Sequence, residues 1–381
     1  MSVLDLDQLA AVQLPTADEE IWRYSRIDEL DMTAYRPVAH AAQVSGATDY
    51  VVVGGDTVEL FADQSPDVFA DLNRSAAAGT TAQVRIVVPP GVTVAEPIVI
   101  THTIAGDGGL VCPRLVIEAG ADSQVTVIER FLSSGAGPAL VLPVLQLAVE
   151  QAARVEYLAV NELSDDAWSI GHQQAVGYRD SSTLLATVAL GGDYARVRTE
   201  ARLSGKGGST RQVALYFAGG SQMHDFRTIQ DHDAPHTHSD LLFKGAVQDR
   251  SASVYTGLIK IREHARGTNA FQTNRNLTLS EGAWAESVPN LEIYTNDVKC
   301  SHASTVGPID AEQRFYLESR GIRPEIAERL VVLGFFDEVL AQLPAEGLAA
   351  GLRARVAGKL HLGTDSGTDS GTDSSPNGGP A

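Results

Sequence analysis

Cys300 and His302 stand two residues apart in "NDVKCSHASTVG", residues 296–307, in a chain of 381 residues that holds only two cysteines. On a strand, side chains at i and i+2 leave the same face, so a thiol and an imidazole would be presented together. A protonated imidazole beside a thiol lowers its pKa and favours the thiolate. Thiolate and imidazole are also ligands that iron and iron–sulfur clusters accept. Two ligands cannot complete a tetrahedral site. The pair therefore reads as a catalytic thiol or as part of a site shared with another subunit. The plain alternative is an inert core cysteine, because free cysteine is among the most buried residue types.

A second candidate lies upstream. Four of the ten histidines fall in "MHDFRTIQDHDAPHTHSD": His224, His232, His236 and His238. On a strand His236 and His238 would share a face, with Asp231 or Asp233 nearby, and such a set suits a divalent metal. That gives an alternative function, a stand-alone metal-binding β-solenoid using the 232–238 histidines. Pro235 favours a solvated strand and turn instead. "LSGKGGST" around Lys206 has the residue types of a phosphate-binding loop without the spacing. No nucleotide is expected to bind directly, and any ATP must be hydrolysed by a partner.

The elements that would hold these residues are mostly strands. From about Val51 to Val298, short β-branched runs alternate with Gly, Asp and Ser, as in "VRIVVPPGVTVAEPIVITHTI" and "RLVIEAGADSQVTVIERF". Such spacing points to a sandwich, a barrel or a solenoid. "PPGVTVAEPIVI" and "EAGADSQVTVI" resemble successive solenoid rungs, although no fixed sequence period is visible. Before this region, Leu4, Leu6, Leu9 and Val12 could line a short helix, and "PTADEEIWRYSRIDEL" carries capping and acidic residues for another, with Trp22 and Tyr24 as packed anchors. After it, Asp310 with Gln313 makes a capping-box pattern. Gly321 marks a helix end and Pro324 the start of the next, "PEIAERLVVLGFFDEVLAQL". A third helix is predicted through "GLAAGLRARVAGKL". "GTDSGTDSGTDSSPNGGPA" has no apolar residue to offset ordering entropy and reads as disordered.

Composition narrows the function classes. A formal net charge of −19 argues against nucleic acid and against an anionic membrane surface. Two cysteines suit a reducing cytoplasm. No signal peptide and no run of eighteen apolar residues is visible, so a cytoplasmic location is expected. A polysaccharide-cleaving β-helix enzyme would need paired carboxylates on one face and usually a secretion signal. Neither is found.

One long stretch carries a resemblance. "PNLEIYTNDVKCSHASTVGPIDAEQRFYLESRGI" closely resembles the signature of the SufB/SufD family of iron–sulfur cluster assembly proteins. "HDAPHTHSDLLFKG", "YTGLIKIREHARGTNAFQTNRNLTLS" and "EEIWRYS" look like further family segments. The match is dense from His232 to Ile322 and thinner from Pro15. It looks like the SufD branch: SufB-type chains carry Glu directly after the matching histidine, where this chain has Ala303, and lack the cysteine two positions before it. Asn296, Ala303 and Ser304 depart from the usual SufD residues without removing a ligating side chain.

The resemblance implies a mainly β protein. A right-handed parallel β-helix over 51–307 would lie between an N-terminal helical segment (1–50) and a C-terminal helical domain (308–360), with a disordered tail (361–381). It implies a non-catalytic scaffold subunit that pairs with a SufB-like subunit through the β-helix; a homodimer is left open. It also implies that a SufC-like ABC ATPase docks on the C-terminal helices, around Phe315, Tyr316, Arg320, Gly321, Leu330 and Leu333. Cys300 and His302 would face the nascent cluster at the subunit interface. Iron or an iron–sulfur cluster would be held transiently and shared with the SufB-like subunit. His236 and His238 remain the alternative metal ligands.

Overall fold

The computed structural model of the chain describes residues 9, 11–61, 67–77, 83–344 and 346–360. The expected tail and most of the Leu4–Val12 run lie outside them. Eight successive turns of chain each give one strand to each of two sheets. Sheet 1 receives Val84–Val88, Arg114–Ala119, Val144–Val149, Ala167–Gly177, Tyr194–Leu203, Met223–His232, Ala252–Ile261 and Trp284–Ile293. Sheet 2 receives Ile98–Ala105, Gln124–Ser134, Arg154–Glu162, Ser182–Ala189, Ser209–Ala218, His238–Val247, Thr268–Thr278 and Val298–Gly307. Neighbours along each sheet pair in parallel, so the molecule is mainly β, a parallel β-solenoid of about eight turns. Two short strands, Gln43–Ser45 and Val51–Val53, add antiparallel to its first turn and close that edge.

The step between stacked residues runs from 26 positions, Trp168 to Tyr194, to 32, Ala252 to Trp284. This variation is why no fixed period is visible in the sequence. The corners are more regular than the steps. Gly91, Asp122, Ala152, Asp180, Gly207, His236 and Gly267 all have φ between 54° and 77°. Each donates its N–H to a carbonyl of the next turn: Gly91 to Ala121 (2.8 Å), Asp180 to Lys206 (2.9 Å), His236 to Arg266 (2.7 Å), Gly267 to Asp297 (2.7 Å). The left-handed conformation points the amide along the stack, and the bond offsets its strain. The expected glycine corner is therefore a left-handed corner, filled by glycine at only some levels.

Alternation sends every second side chain inward. The early turns bury an aliphatic interior that includes Ile86, Ile100, Ile117, Val127 and Leu147. The later turns are aromatic and polar inside, with Tyr216, Phe226, Phe243 and Tyr255. Tyr216 reaches past the missing side chain of Gly245, where a Cβ would lie 1.9 Å from its ring, and bonds Asn276 (2.6 Å).

Both outer faces are partly covered. Helix α1 (Val68–Ala77) and the N-terminal residues pack over sheet 1 through Trp22, Ile27, Phe69 and Leu72. Residues 20–34 form short 3₁₀ turns there, not the expected longer helix. Trp22 is a buried anchor beneath the Arg196 guanidinium, 3.9 Å from its ring. Tyr24 is not an anchor: it is 40% exposed, at φ 66°. Buried Asp225 holds this region together, accepting from Arg196 (2.5 Å), Arg227 (2.7 Å) and Tyr194 (2.9 Å), while the two arginines reach the carbonyls of Ile21 and Arg23. Burial alone would raise its carboxyl, but Arg196 and Arg227 more than offset that and hold it below the usual range.

Three helices follow the last strand: α2 (Ala311–Ser319), α3 (Pro324–Leu340) and α4 (Glu346–Lys359). Asp310 caps α2 by accepting from the amides of Glu312 (2.8 Å) and Gln313 (3.3 Å). Gly321, at φ 85°, ends it, and Pro324 opens α3. α3 and α4 fold back on the outer face of sheet 2, where Val332, Phe336, Val339 and Val356 pack against Leu184, Val188, Leu215 and Phe217. Lys244 fastens α3 by donating to the Phe335 carbonyl (2.8 Å), and Lys359 fastens α4 through Leu190 O and Gln222 Oε1. No helix among the described residues is long and apolar enough to cross a membrane.

Candidate functional site

Cys300 and His302 lie on Val298–Gly307, the final strand of sheet 2, which is paired on one side only. Register sets their orientation. Cys300 stacks on Ala270, His302 on Gln272, Ser304 on Asn274 and Val306 on Asn276, all four of which are buried inside the solenoid. The motif therefore faces the interior. Cys300 packs beside Ile259, Ile261, Ala265 and Ala270 and is half-buried. His302 is exposed, since no further turn among the described residues covers it.

The opposite wall is Trp284–Ile293, the final strand of sheet 1, also paired on one side. Ser304 Oγ donates to Ser287 Oγ (2.6 Å), which fixes how the walls face each other. With a period of two, His302 then stands opposite Pro289 and Cys300 opposite Leu291. The solenoid ends as an open mouth whose rim bears exposed Leu291, Ile293, Tyr294, Trp284 and Val306. Below it the interior is polar: Gln272 donates to Tyr255 (2.6 Å), which also bonds Thr228 (3.0 Å), and Asn274 donates to Tyr216 (2.9 Å).

The thiolate expectation is corrected. Burial pushes the Cys300 thiol up. The two side chains share a face without activating the thiol. Cys112 is a core cysteine whose thiol burial pushes up to about 12.

The histidine set is not assembled on a strand. His236 is an exposed left-handed corner residue, and only His238 begins the following strand. Both nitrogens of buried His232 are occupied, Nδ1 with Thr237 (2.7 Å) and Nε2 with Ser239 (2.8 Å), and desolvation lowers its pKa to about 4. Asp231 and Asp233 pair with Arg202 and Arg262. Among the described residues, no group of three or more His, Cys, Asp or Glu comes together that could hold a metal ion.

The helical candidates divide. Phe315 is 71% exposed and Leu330 44%, and Tyr316 is exposed with the Arg320 guanidinium 4.9 Å from its ring. With Leu277, Asp310, Leu317 and Phe335, Tyr316 and Leu330 line an open groove of about 930 Å³. Leu333 is only 5% exposed and belongs to the core between α3 and sheet 2, so it is removed from that surface.

Sequence reading missed one interior group. His40 bonds His102 (3.0 Å), His102 bonds Glu129 (2.9 Å), and Tyr157 donates to Glu129 (2.5 Å), beside a small cavity of about 30 Å³. No local motif could reveal it, since its members come from separate turns.

Comparison with known proteins bears on the same residues. A family model described as "SUF system FeS cluster assembly, SufBD core domain" matches residues 102–335, which include the mouth and most of the solenoid. The chain belongs to the SufB/SufD family. An iron–sulfur cluster assembly SufBD family protein of Mycobacterium tuberculosis is 31% identical over 92% of this chain and 91% of its own length. The iron–sulfur cluster assembly protein SufD of Escherichia coli is 28% identical over 93% and 91%, and the SufD of Bacillus subtilis 31% over 68% and 60%. The chain is thus consistent with the SufD branch of the SufB/SufD family, and its general role is iron–sulfur cluster assembly in the SUF system.

Proposed function

We propose that this chain is a non-catalytic scaffold subunit of a SUF complex. A SufB-like subunit covers the open mouth of the solenoid, and Cys300 and His302 face iron or a nascent cluster completed by that partner's ligands. The observation that carries this reading is the unfinished last turn. Two ten-residue strands, each paired on one side, hold inward-facing thiol and imidazole groups within an apolar rim. Edge strands of this kind are templates for pairing with another chain. They also explain why two ligands suffice, since a shared site needs only part of its set from each side. A homodimer through the same edges is the competing assembly.

The groove beside α2 and α3, lined by Tyr316 and Leu330, is the proposed dock for a SufC-like ABC ATPase, with Phe315, Arg320 and Gly321 on the neighbouring surface of α2 and its end. ATP hydrolysis belongs to that partner. Movement of the docked ATPases would act on the mouth as a rigid-body switch. A cytoplasmic location belongs to the same proposal.

Co-expression with SufB-like and SufC-like partners is the test. A co-purifying complex containing all three chains is expected, and Leu330→Asp should release the ATPase alone. Recovery of this chain without either partner would overturn the reading.

A further inference from the structure

We propose that Gln272 is the positioning residue for His302. Its side-chain carbonyl, unpartnered among the described residues, is the acceptor toward which the exposed His302 ring turns one N–H, leaving the other ring nitrogen, as a neutral lone pair, facing out of the mouth. The proposal rests on the reading of His302 as facing iron.

Gln272 is the residue directly beneath His302 in the parallel ladder, and both side chains point inward. Stacked residues in neighbouring strands lie about 4.8 Å apart, within reach of a ring and an amide. Gln272 is 2% exposed. Its amide crosses the interior beneath the mouth: a Cβ on Gly257, the residue under Pro289, would come within 1.9 Å of Gln272 Nε2. Nε2 is committed to the Tyr255 hydroxyl at 2.6 Å. Among the described residues, Oε1 has no hydrogen-bond partner.

A buried acceptor without a donor is unfavourable, and native interiors rarely keep one. The nearby alternatives are taken. Tyr255 is bonded to Thr228 and Gln272, Asn274 to Tyr216 and Asn276, and Ser304 to Ser287. The other unpartnered atom on that turn, Ser253 Oγ, sits beneath Ala285, away from His302. A histidine that presents one nitrogen to a metal usually donates its other N–H to a carbonyl or carboxylate, which fixes both tautomer and ring orientation. Gln272 Oε1 is such a carbonyl, on the residue one rung below His302 in the ladder. Gly257 contributes by leaving the space in which the amide lies.

The test has two independent readouts. In the full chain with ¹⁵N-labelled histidine, held above the imidazole titration, His302 is expected as one tautomer, its signal assigned by loss in His302→Ala. Gln272→Met should convert it to the mixed-tautomer pattern of a free imidazole. Gln272→Glu should restore one tautomer, and Tyr255→Phe, which removes the hydroxyl shared by Gln272 Nε2 and Thr228 but leaves Oε1 in place, should leave it unchanged. In the complex with the SufB-like partner, Gln272→Met should raise the ferrous iron needed for half-loading by about tenfold or more, with Gln272→Glu close to wild type. An unchanged His302 tautomer in Gln272→Met overturns the hydrogen bond. Unchanged iron loading in His302→Ala overturns the iron-facing role of His302 instead, so the two failures are separable.

Discussion

Cys300 and His302 share a face, but that geometry does not make the thiol reactive. Burial against Ile259, Ile261 and Ala270 holds the thiol above its ordinary pKa. Iodoacetamide should therefore modify Cys300 more slowly than free cysteine at pH 7, with a rate still climbing at pH 9. Cys112 should remain unmodified until the chain unfolds, because its thiol is fully buried and pushed up to about 12. Peptide mapping of time points checks both, and rapid labelling of Cys300 at pH 7 would refute the inert-thiol description. The candidate pair was legible from residue types and spacing alone. Gln272 was not, because its meaning depends on which residue lies thirty positions onward in the stack. That step varies from turn to turn, so only the register discloses the partner.

Among the elements, the helix ends were the most legible. Asp310, Gly321 and Pro324 each act through local backbone chemistry, and each does in the structure what its type requires. His236 was misleading for the same reason: histidine at a corner is indistinguishable from histidine on a strand until the backbone sign is known. The apolar residues of α3 could not be sorted by sequence into core and surface, and the structure divides them. Phe336→Ala, in the core with Phe217 and Val332, should cost about 3–5 kcal/mol of stability. Leu330→Asp, on the groove, should leave stability within about 0.5 kcal/mol. Urea denaturation separates the two.

Lys359 gives the docking of α4 a pH dependence. Desolvation lowers its ammonium to about 8, with Asp165 opposing the shift. A base whose folded pKa is depressed takes up its proton first in the unfolded chain. Between pH 8 and about 10.4 the unfolded state holds the extra proton, so stability rises with pH there and is flat below. The stability difference between wild type and Lys359→Gln should be constant from pH 6 to 7 and shift in favour of wild type from pH 8 to 10. A difference independent of pH would contradict the buried placement of Lys359.

The whole molecule is a stack with unequal ends. Its first turn is closed by antiparallel strands, whereas among the described residues its last turn is left with both edges free and its inward-facing residues uncovered. Stacks of this kind need a cap or a partner, because uncovered inner faces expose apolar and hydrogen-bonding groups together. The strand-rich texture was legible from alternation, but the solenoid itself was only one option among β architectures until the family signature was reached. A period between 26 and 32 residues is too loose for repeat detection by eye. The formal net charge of −19 is compatible with a protein partner and argues against nucleic acid.

The most direct measurement is anaerobic reconstitution of the co-purified complex with ferrous iron and sulfide, comparing wild type with His302→Ala for bound iron and for the cluster absorption band. A shared site at the mouth predicts an intact complex that loses at least about tenfold in iron affinity on this substitution. An intact complex that loads iron and cluster equally well in both would contradict it, leaving Cys300 and His302 as packing residues at an interface.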